Sequence, residues 1–291
     1  MAPRTALPDS ADLALALLAG VVHAVAVAAL VARLDYPVDP LANAPGGSVG
    51  AAVGLVAVVA VPTAVALRFR VLSPVVVTAA SLALPVYRTF TTPPPTFSNL
   101  GGYTVVVGAR YVDTYVDAWY VWLLAALLVG LVEAVVRLDV AWLPRPVGGG
   151  VDRWLGGKEG AVRRTTAACA GAHVAAFLLL AADWGYFSPD GYLPSPWYVG
   201  LGVLAWTLVG LAVVGGLPAY LLVRGRLLSP TLALAWLVRR VGWAQNMPLP
   251  DDPLPIYFLG WPVFAGGLLL LGGVEYALGR LVRWGRRSLG D

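Results

Sequence analysis

Two histidines are the residues of this chain best suited to chemistry inside a helical bundle, and the sequence contains no others. His23 and His173 each lie near the middle of a long apolar segment. Two imidazoles at one depth could ligate the iron of a single haem, contact a quinone or form part of a proton path. Each could equally form a hydrogen bond with a backbone or hydroxyl group of a neighbouring helix, and we favour this packing interpretation.

The single cysteine is a second candidate. Cys169 precedes His173 by four residues and therefore shares a helix face with it. A thiol beside an imidazole is typical of a nucleophile–base pair or of part of a metal site. No acidic residue nearby on that segment would orient the base, and no further cysteine or histidine completes a metal shell. We therefore expect a small apolar thiol in a packed helix, and no disulfide within the chain.

Two glutamates occupy matching places near the ends of apolar segments. Glu133 has Arg137 at i+4, the spacing of a helical ion pair, whereas Glu275 has only Arg280 at i+5. Two carboxylates at one depth could form a proton or cation site in a carrier. Ion pairing at the membrane surface is the simpler expectation.

A pair of aspartates has a spacing suited to a metal ion. Asp113 and Asp117 lie at i and i+4 and could hold Mg²⁺ for diphosphate chemistry, with Asp251 and Asp252 as the closest second acidic motif. The favoured interpretation is that both residues are solvated at the start of a helix. The chain has no Gly-rich phosphate loop in a strand–helix context, no HExxH and no GxSxG motif. We therefore assign no catalytic and no metal-ligating residue.

Composition indicates the kind of structure that must position these residues. Of 291 residues, 59% are hydrophobic and 12% are charged, against about 25% charged in a soluble domain. The mean hydropathy is +0.76, and too little polar material remains to form a water-facing shell. The arginines cluster at the ends of apolar runs, so the net charge of +4 indicates membrane surfaces and not a nucleic-acid partner. One lysine, few glutamates and abundant Ala, Val and Gly are typical of a high-GC prokaryotic coding sequence.

Eight apolar segments are predicted to cross the bilayer, each near the roughly 20 residues that a span needs. The third and seventh are short, because Pro85 interrupts the third and Arg239 and Arg240 come late in the seventh. Basic and acidic loops alternate as eight spans require, which places both termini in the cytoplasm. The segments are 13–34, 50–67, 73–89, 117–137, 164–183, 196–223, 229–245 and 256–279.

The chain also repeats itself. The stretch PTAVALRFRVLSP aligns without a gap with PAYLLVRGRLLSP, and His23 aligns with His173 and Glu133 with Glu275 in the same order. The order of these landmarks predicts two four-span units related by a pseudo-twofold axis along the membrane normal. If the third and seventh segments were re-entrant, the units would be inverted, which the charge distribution disfavours. The predicted divisions are membrane unit 1 (1–142), a cytoplasmic linker (143–159) and membrane unit 2 (160–291).

The repeated heptapeptides RFRVLSP and RGRLLSP are interpreted as turns at the cytoplasmic headgroups. In each, the serine would cap the next helix and the proline would occupy its first turn. Their arginines could in addition contact anionic lipid or a phosphorylated ligand: Arg68, Arg70, Arg224 and Arg226. On the outer side, TVVV at 104–107 is a candidate strand in the longest loop.

These features predict an all-α, polytopic integral membrane protein of the cell membrane. A non-enzymatic permease-like carrier or a subunit of a larger membrane complex is the favoured function. The alternatives are a redox subunit that binds one haem or quinone through His23 and His173, and a membrane-embedded enzyme. The expected partners are the lipid bilayer and either another membrane protein or a second copy of the chain. Four glycines are expected to allow close helix packing: Gly50, Gly54, Gly202 and Gly210.

Overall fold

The computed structural model describes residues 10–37, 39–44, 46–100, 103–139, 158–183, 197–244 and 253–288. These residues form eleven helices and one β-hairpin. The helices are α1 (Ser10–Leu34), α2 (Pro40–Asn43), α3 (Gly47–Phe69), α4 (Ser73–Thr91), α5 (Tyr111–Asp117), α6 (Trp119–Asp139), α7 (Lys158–Asp183), α8 (Trp197–Gly225), α9 (Ser229–Ala244), α10 (Pro253–Leu259) and α11 (Trp261–Ser288). The strands are β1 (Thr96–Leu100) and β2 (Tyr103–Val107). The predicted linker lies almost wholly outside the described residues.

Six of the described helices are long and apolar enough to cross a membrane: α1, α3, α6, α7, α8 and α11. They coincide with six of the eight predicted segments. The other two segments are also helical, as α4 with 19 residues and α9 with 16. A helix rises 1.5 Å per residue, so these two are about 28 Å and 24 Å long, slightly less than the roughly 30 Å of a hydrocarbon core.

The hairpin follows α4. Strand β1 pairs antiparallel with β2, with Thr96 opposite Val107 and Leu100 opposite Tyr103. The predicted strand at 104–107 is confirmed. The chain then enters the short helix α5 and turns into α6.

In both halves of the chain, a tryptophan ring packs on a glycine of a neighbouring helix. Gly54 of α3 lies against the indole ring of Trp119, and Gly210 of α8 lies against the ring of Trp261. A side chain at either glycine would overlap the ring, so both positions require glycine. The packing expected at Gly54 and Gly210 is therefore confirmed, whereas a Cβ at Gly202 would meet no atom within 4 Å. Among the described residues no helix packs on Gly202, because its side of α8 is exposed.

Helix α6 is at the centre of the fold. It packs against α3, α4 and α5 of its own half and against α7, α8 and α9 of the other half. One apolar core contains residues of both halves, among them Trp122 and Leu128 of α6 with Phe177 of α7 and Leu234 of α9. A second cluster joins Val132 and Val135 of α6 to the end of α8. The contact between the halves is thus made mainly by one helix of the first half.

Helix α11 follows its short helix α10 as α6 follows α5, but its surroundings differ. Among the described residues it packs mainly against α8, α9 and α10, all of its own half. A twofold arrangement would cover α6 and α11 to the same extent. Instead, no described residue of α6 before Asp139 is exposed, whereas α11 exposes a broad apolar face. The halves therefore contact each other asymmetrically.

Candidate functional site

His173 lies inside the second half with both ring nitrogens bonded. Its Nδ1 is 2.8 Å from the carbonyl oxygen of Leu211 on α8, and its Nε2 is 2.8 Å from the hydroxyl of Tyr257 on α10. A carbonyl oxygen only accepts, so the neutral imidazole carries its proton on Nδ1 and accepts the Tyr257 hydroxyl at Nε2. The ring of Phe177 packs 4.7 Å from the imidazole, centroid to centroid. His173 thereby ties α7 to α8 and α10.

His23 makes the corresponding contact in the first half. Its Nε2 is 3.1 Å from the hydroxyl of Tyr115 on α5, and the two rings meet edge to face with centroids 5.8 Å apart. Each histidine therefore forms hydrogen bonds with a neighbouring helix, as the packing interpretation predicts. The ring contacts of the described residues include none between His23 and His173. An iron on Nε2 of either histidine would have to displace a tyrosine hydroxyl.

The two tyrosines were not predicted. Tyr115 lies between the two aspartates of the DTYVD motif, and Tyr257 lies in a short apolar stretch after the acidic segment. Both tyrosines are buried, and each hydroxyl lies within hydrogen-bonding distance of its histidine. A neutral phenol is a donor at every ordinary pH, which suits the acceptor nitrogen of its histidine. The signal in the sequence is a tyrosine four residues before each of the two aligned tryptophans, Trp119 and Trp261.

A cavity of about 220 Å³ opens beside His23, between α1, α3 and α4. We refer to it as the His23 groove. Its lining is apolar apart from His23 and two threonines, and the hydroxyl of Thr78 is satisfied by the carbonyl of Val58 at 3.3 Å. The lining residues are His23, Val59, Pro62, Thr63, Val75, Thr78, Ala79 and Leu82.

The corresponding surface of the second half is enclosed. Alignment of the two halves pairs each lining residue with a residue of α7, α8 or α9, and all eight counterparts are buried. In the first half only Pro62 and Thr78 are buried. The counterparts are His173, Gly215, Pro218, Ala219, Thr231, Leu234, Ala235 and Val238. Helix α6 is the element of the first half that packs on this surface of the second.

The two glutamates serve the hairpin turns. Glu275 accepts the backbone N–H groups of Leu228 and Ser229 at 3.0 and 2.8 Å, and the Ser229 hydroxyl at 2.8 Å. Glu133 accepts the N–H of Ser73 at 2.6 Å. The start of α4 was predicted to be capped by its serine, but its N-cap is Leu72, and a carboxylate from another helix takes that role. The free N–H groups at a helix start attract such an anion.

The basic partners of these glutamates differ. Arg137 forms the predicted ion pair with Glu133 and also donates to the carbonyl of Arg70 at 2.7 Å. Arg280 instead places its guanidinium over the ring of Tyr276, 6.0 Å from the centroid. Arg280 follows Glu275 by five residues, a spacing that does not favour a helical ion pair between them. Both carboxylates therefore hold a turn in place, the first together with its arginine.

The repeated turns also share an unusual backbone conformation. Arg70 and Arg226 have φ values of 55° and 56°, in the left-handed region that favours glycine. At Arg226 the N–H group bonds to the carbonyl of Leu222, which is the single hydrogen bond of an αL cap, and the N–H of the next residue, Leu227, reaches the carbonyl of Leu221. Arg70 and Arg226 are exposed, as is Arg224, whereas Arg68 is half-buried. The second arginine of each turn is thus a helix terminator.

The remaining described candidates lie on two helices, Asp113 and Asp117 on α5 and Cys169 on α7. Cys169 is half-buried on α7 and packs against the main core. Asp113 is buried, not solvated as expected, and pairs with Arg110 at 2.8 Å. Burial raises the pKa of Asp113 to about 6, although Arg110 opposes the shift. Asp251 and Asp252 lie outside the described residues, within which no three acidic, histidine or cysteine side chains could hold one metal ion.

Comparison with known proteins gives no relative. No family model matches the chain, and no curated protein and no solved structure is similar to it. The contacts described above are therefore the basis for any functional assignment.

Proposed function

We propose that this protein is a non-enzymatic subunit of a membrane assembly, and that the His23 groove is the place where a transmembrane helix docks. One observation carries the proposal. Helix α6 packs on the surface formed by α7, α8 and α9, mainly on α9, whereas the equivalent surface formed by α1, α3 and α4 is open among the described residues. A surface that receives a helix in one half is suited to receive a helix in the other.

The proposal includes the division of the chain into two related units, 1–142 and 160–291. Four kinds of contact recur in both halves in the same order, which supports a duplication. Histidine meets the hydroxyl of a tyrosine, tryptophan covers a glycine, a helix-start proline packs on a glycine, and glutamate caps a turn. The proline–glycine pairs are Pro74 with Gly130 and Pro230 with Gly272.

We also propose eight crossings, with the arginine turns and both termini in the cytoplasm. Helices α4 and α9 are nearly long enough to span, and the positive charge at the two turns supports a cytoplasmic position. Cysteines placed at Arg70 and Arg226 in a Cys169→Ala background should then both react with an impermeant thiol reagent from the cytoplasmic side only. Labelling from opposite sides would indicate inverted units.

The interior supports assembly over transport or redox chemistry. Glu133 and Glu275 are bound to backbone N–H groups of turns, and the histidines are bound to tyrosines. Each polar side chain that the carrier and redox hypotheses need thus has a structural partner. An assembly subunit needs no polar chemistry inside its helices, only surfaces of complementary shape.

The docking proposal is tested by photo-crosslinking in native membranes. A benzophenone amino acid replaces Ala79, which lines the groove, or Ala80, its exposed neighbour on α4. We expect a protein adduct from position 79, with the attached peptide identified by mass spectrometry as a membrane helix, and lipid adducts from position 80. Lipid adducts alone from both positions would contradict the proposal.

A further inference from the structure

The identity of the docked helix can be inferred from the repeat itself, on the basis of the proposed function. From Trp119 to Glu133, helix α6 aligns without a gap with α11 from Trp261 to Glu275. Tryptophan, leucine, glycine, valine and glutamate recur at the same positions of this alignment. Helix α11 is therefore the counterpart of the helix that fills the second half.

The face of α6 that is buried corresponds to a face of α11 that is open. Val121 and Leu128 are 0% and 3% exposed, whereas their counterparts Val263 and Leu270 are 77% and 72% exposed. Further along, Val132 is buried and its counterpart Val274 is exposed. Single exposed apolar residues are ordinary on a lipid-facing helix. Here the same positions are covered by protein in one copy and uncovered in the other.

The receiving surface shows the reverse asymmetry. On α9, the side that α6 covers contains Thr231, Ala235 and Val238, each less than 7% exposed. Their counterparts on α4 are Val75, Ala79 and Leu82, and all three line the open His23 groove. The positions that follow Ala79 and Ala235 have the same exposure in both halves, since Ala80 of α4 and Trp236 of α9 are both exposed. The three aligned pairs on the helix-binding side are thus covered in the second half and uncovered in the first.

We propose that the His23 groove binds α11 of a second copy of this chain. Among the described residues, each copy has an uncovered groove in its first half and an uncovered donor helix, α11, in its second half, so each copy offers what the next one lacks. Within one chain, α6 packs on the helix-binding surface of the second half. Between chains, α11 of one copy would pack in the same way on the groove in the first half of the next copy. Such head-to-tail contacts close into a ring of copies when the rotation permits.

The chemistry of the two surfaces suits this occupant. In lipid, helices associate through close packing and not through apolar burial, so small residues at the contact favour it. Gly266 and Gly267 of α11 have no atom within 4 Å of the Cβ position, and Ala79 lies in the groove. A helix can therefore approach closely from either side.

The experiment uses the full chain in native lipid nanodiscs, with two differently tagged copies expressed together. A benzophenone amino acid at Leu270 should crosslink to the α4 peptide, residues 73–91, of the other copy. The same probe at Val25 is the control, because Val25 is exposed and its counterpart Ala175 stays exposed even where the groove is filled. Native mass spectrometry of the same sample should show a complex of two or more copies.

Two tryptophan variants test the specificity of the contact. Ala79→Trp fills the groove and should abolish both the crosslink and the oligomer, whereas Ala80→Trp should preserve both, since tryptophan stands there in the second half. Val274→Trp, on the exposed face of α11, should abolish them from the donor side without touching the groove. Circular dichroism and thermal unfolding confirm that the three variants fold.

The outcomes separate the two proposals. A crosslink from Leu270 to the other copy that survives Ala79→Trp and Val274→Trp would overturn the inference. A crosslink from the groove to a different membrane protein would overturn the second-copy inference and leave the docking function intact. A monomer whose groove contacts lipid alone would overturn both.

Discussion

Substitution of one glycine beside His173 tests how the second half is held together. Gly215 of α8 faces the imidazole, and a Cβ at this position would lie 2.5 Å from the Cβ of His173 and 2.8 Å from its Cγ. His173 is 1% exposed and its two nitrogens bond Leu211 and Tyr257, so it has no free space into which to move. Gly215→Ala should therefore force α7 and α8 apart or break a hydrogen bond.

The magnitude follows from three opposing effects. Replacing a helical glycine by alanine favours the helix by about 1 kcal/mol. Overpacking a filled core costs about 1–3 kcal/mol, and leaving a buried polar group unbonded costs about 1–3 kcal/mol. We expect Gly215→Ala to lower the free energy of unfolding by about 2 kcal/mol.

Gly202→Ala is the matched control on the same helix. A Cβ at Gly202 would meet nothing within 4 Å, so only the helix preference remains and the variant should be as stable as the parent or slightly more so. Denaturant titration of both purified variants in detergent, followed by circular dichroism, measures the difference. Equal stabilisation by the two substitutions would refute the close α7–α8 contact at His173.

Four further outcomes are expected. Glu275→Gln should lower the free energy of unfolding by about 1–2 kcal/mol, because an amide cannot accept all three hydrogen bonds of the α9 turn; unchanged stability in a denaturant titration would contradict the capping role. Arg226→Gly should raise stability by about 0.5–1 kcal/mol, since relief of the left-handed conformation outweighs the chain entropy of glycine; thermal unfolding measures it. The pKa of Asp113 is raised to about 6 mainly by burial, so the folded state binds this proton more tightly than the unfolded state. Stability should therefore fall as pH rises from about 4 to about 6, and Asp113→Asn should remove that part of the pH dependence. Purified protein from haem-replete cells should show no Soret band; a band that disappears in His173→Ala would instead support the redox hypothesis.

Much of the helical layout could be predicted because apolar length alone specifies it. Six predicted segments match helices long enough to span, and the heptapeptide turns fall where α3 and α8 end. The Glu133–Arg137 pair followed from helical spacing. The capping role of the two glutamates could not be predicted in this way. A carboxylate that caps the start of a distant helix leaves no local pattern around the glutamate or around the helix start. Asp113 shows the same limit, since its burial depends on helices distant in sequence.

By itself the sequence determined the apolar helices, the turns between them and the order in which landmarks recur, since each of these depends on neighbours within a few residues. Tertiary structure alone decided which groove is filled. His23 and His173 occupy aligned positions in two apolar helices, yet one borders a cavity and the other is enclosed. The difference arises because α6 contacts both halves, whereas α11 contacts mainly its own half. The local sequences of two related units do not specify which unit receives a helix from the other.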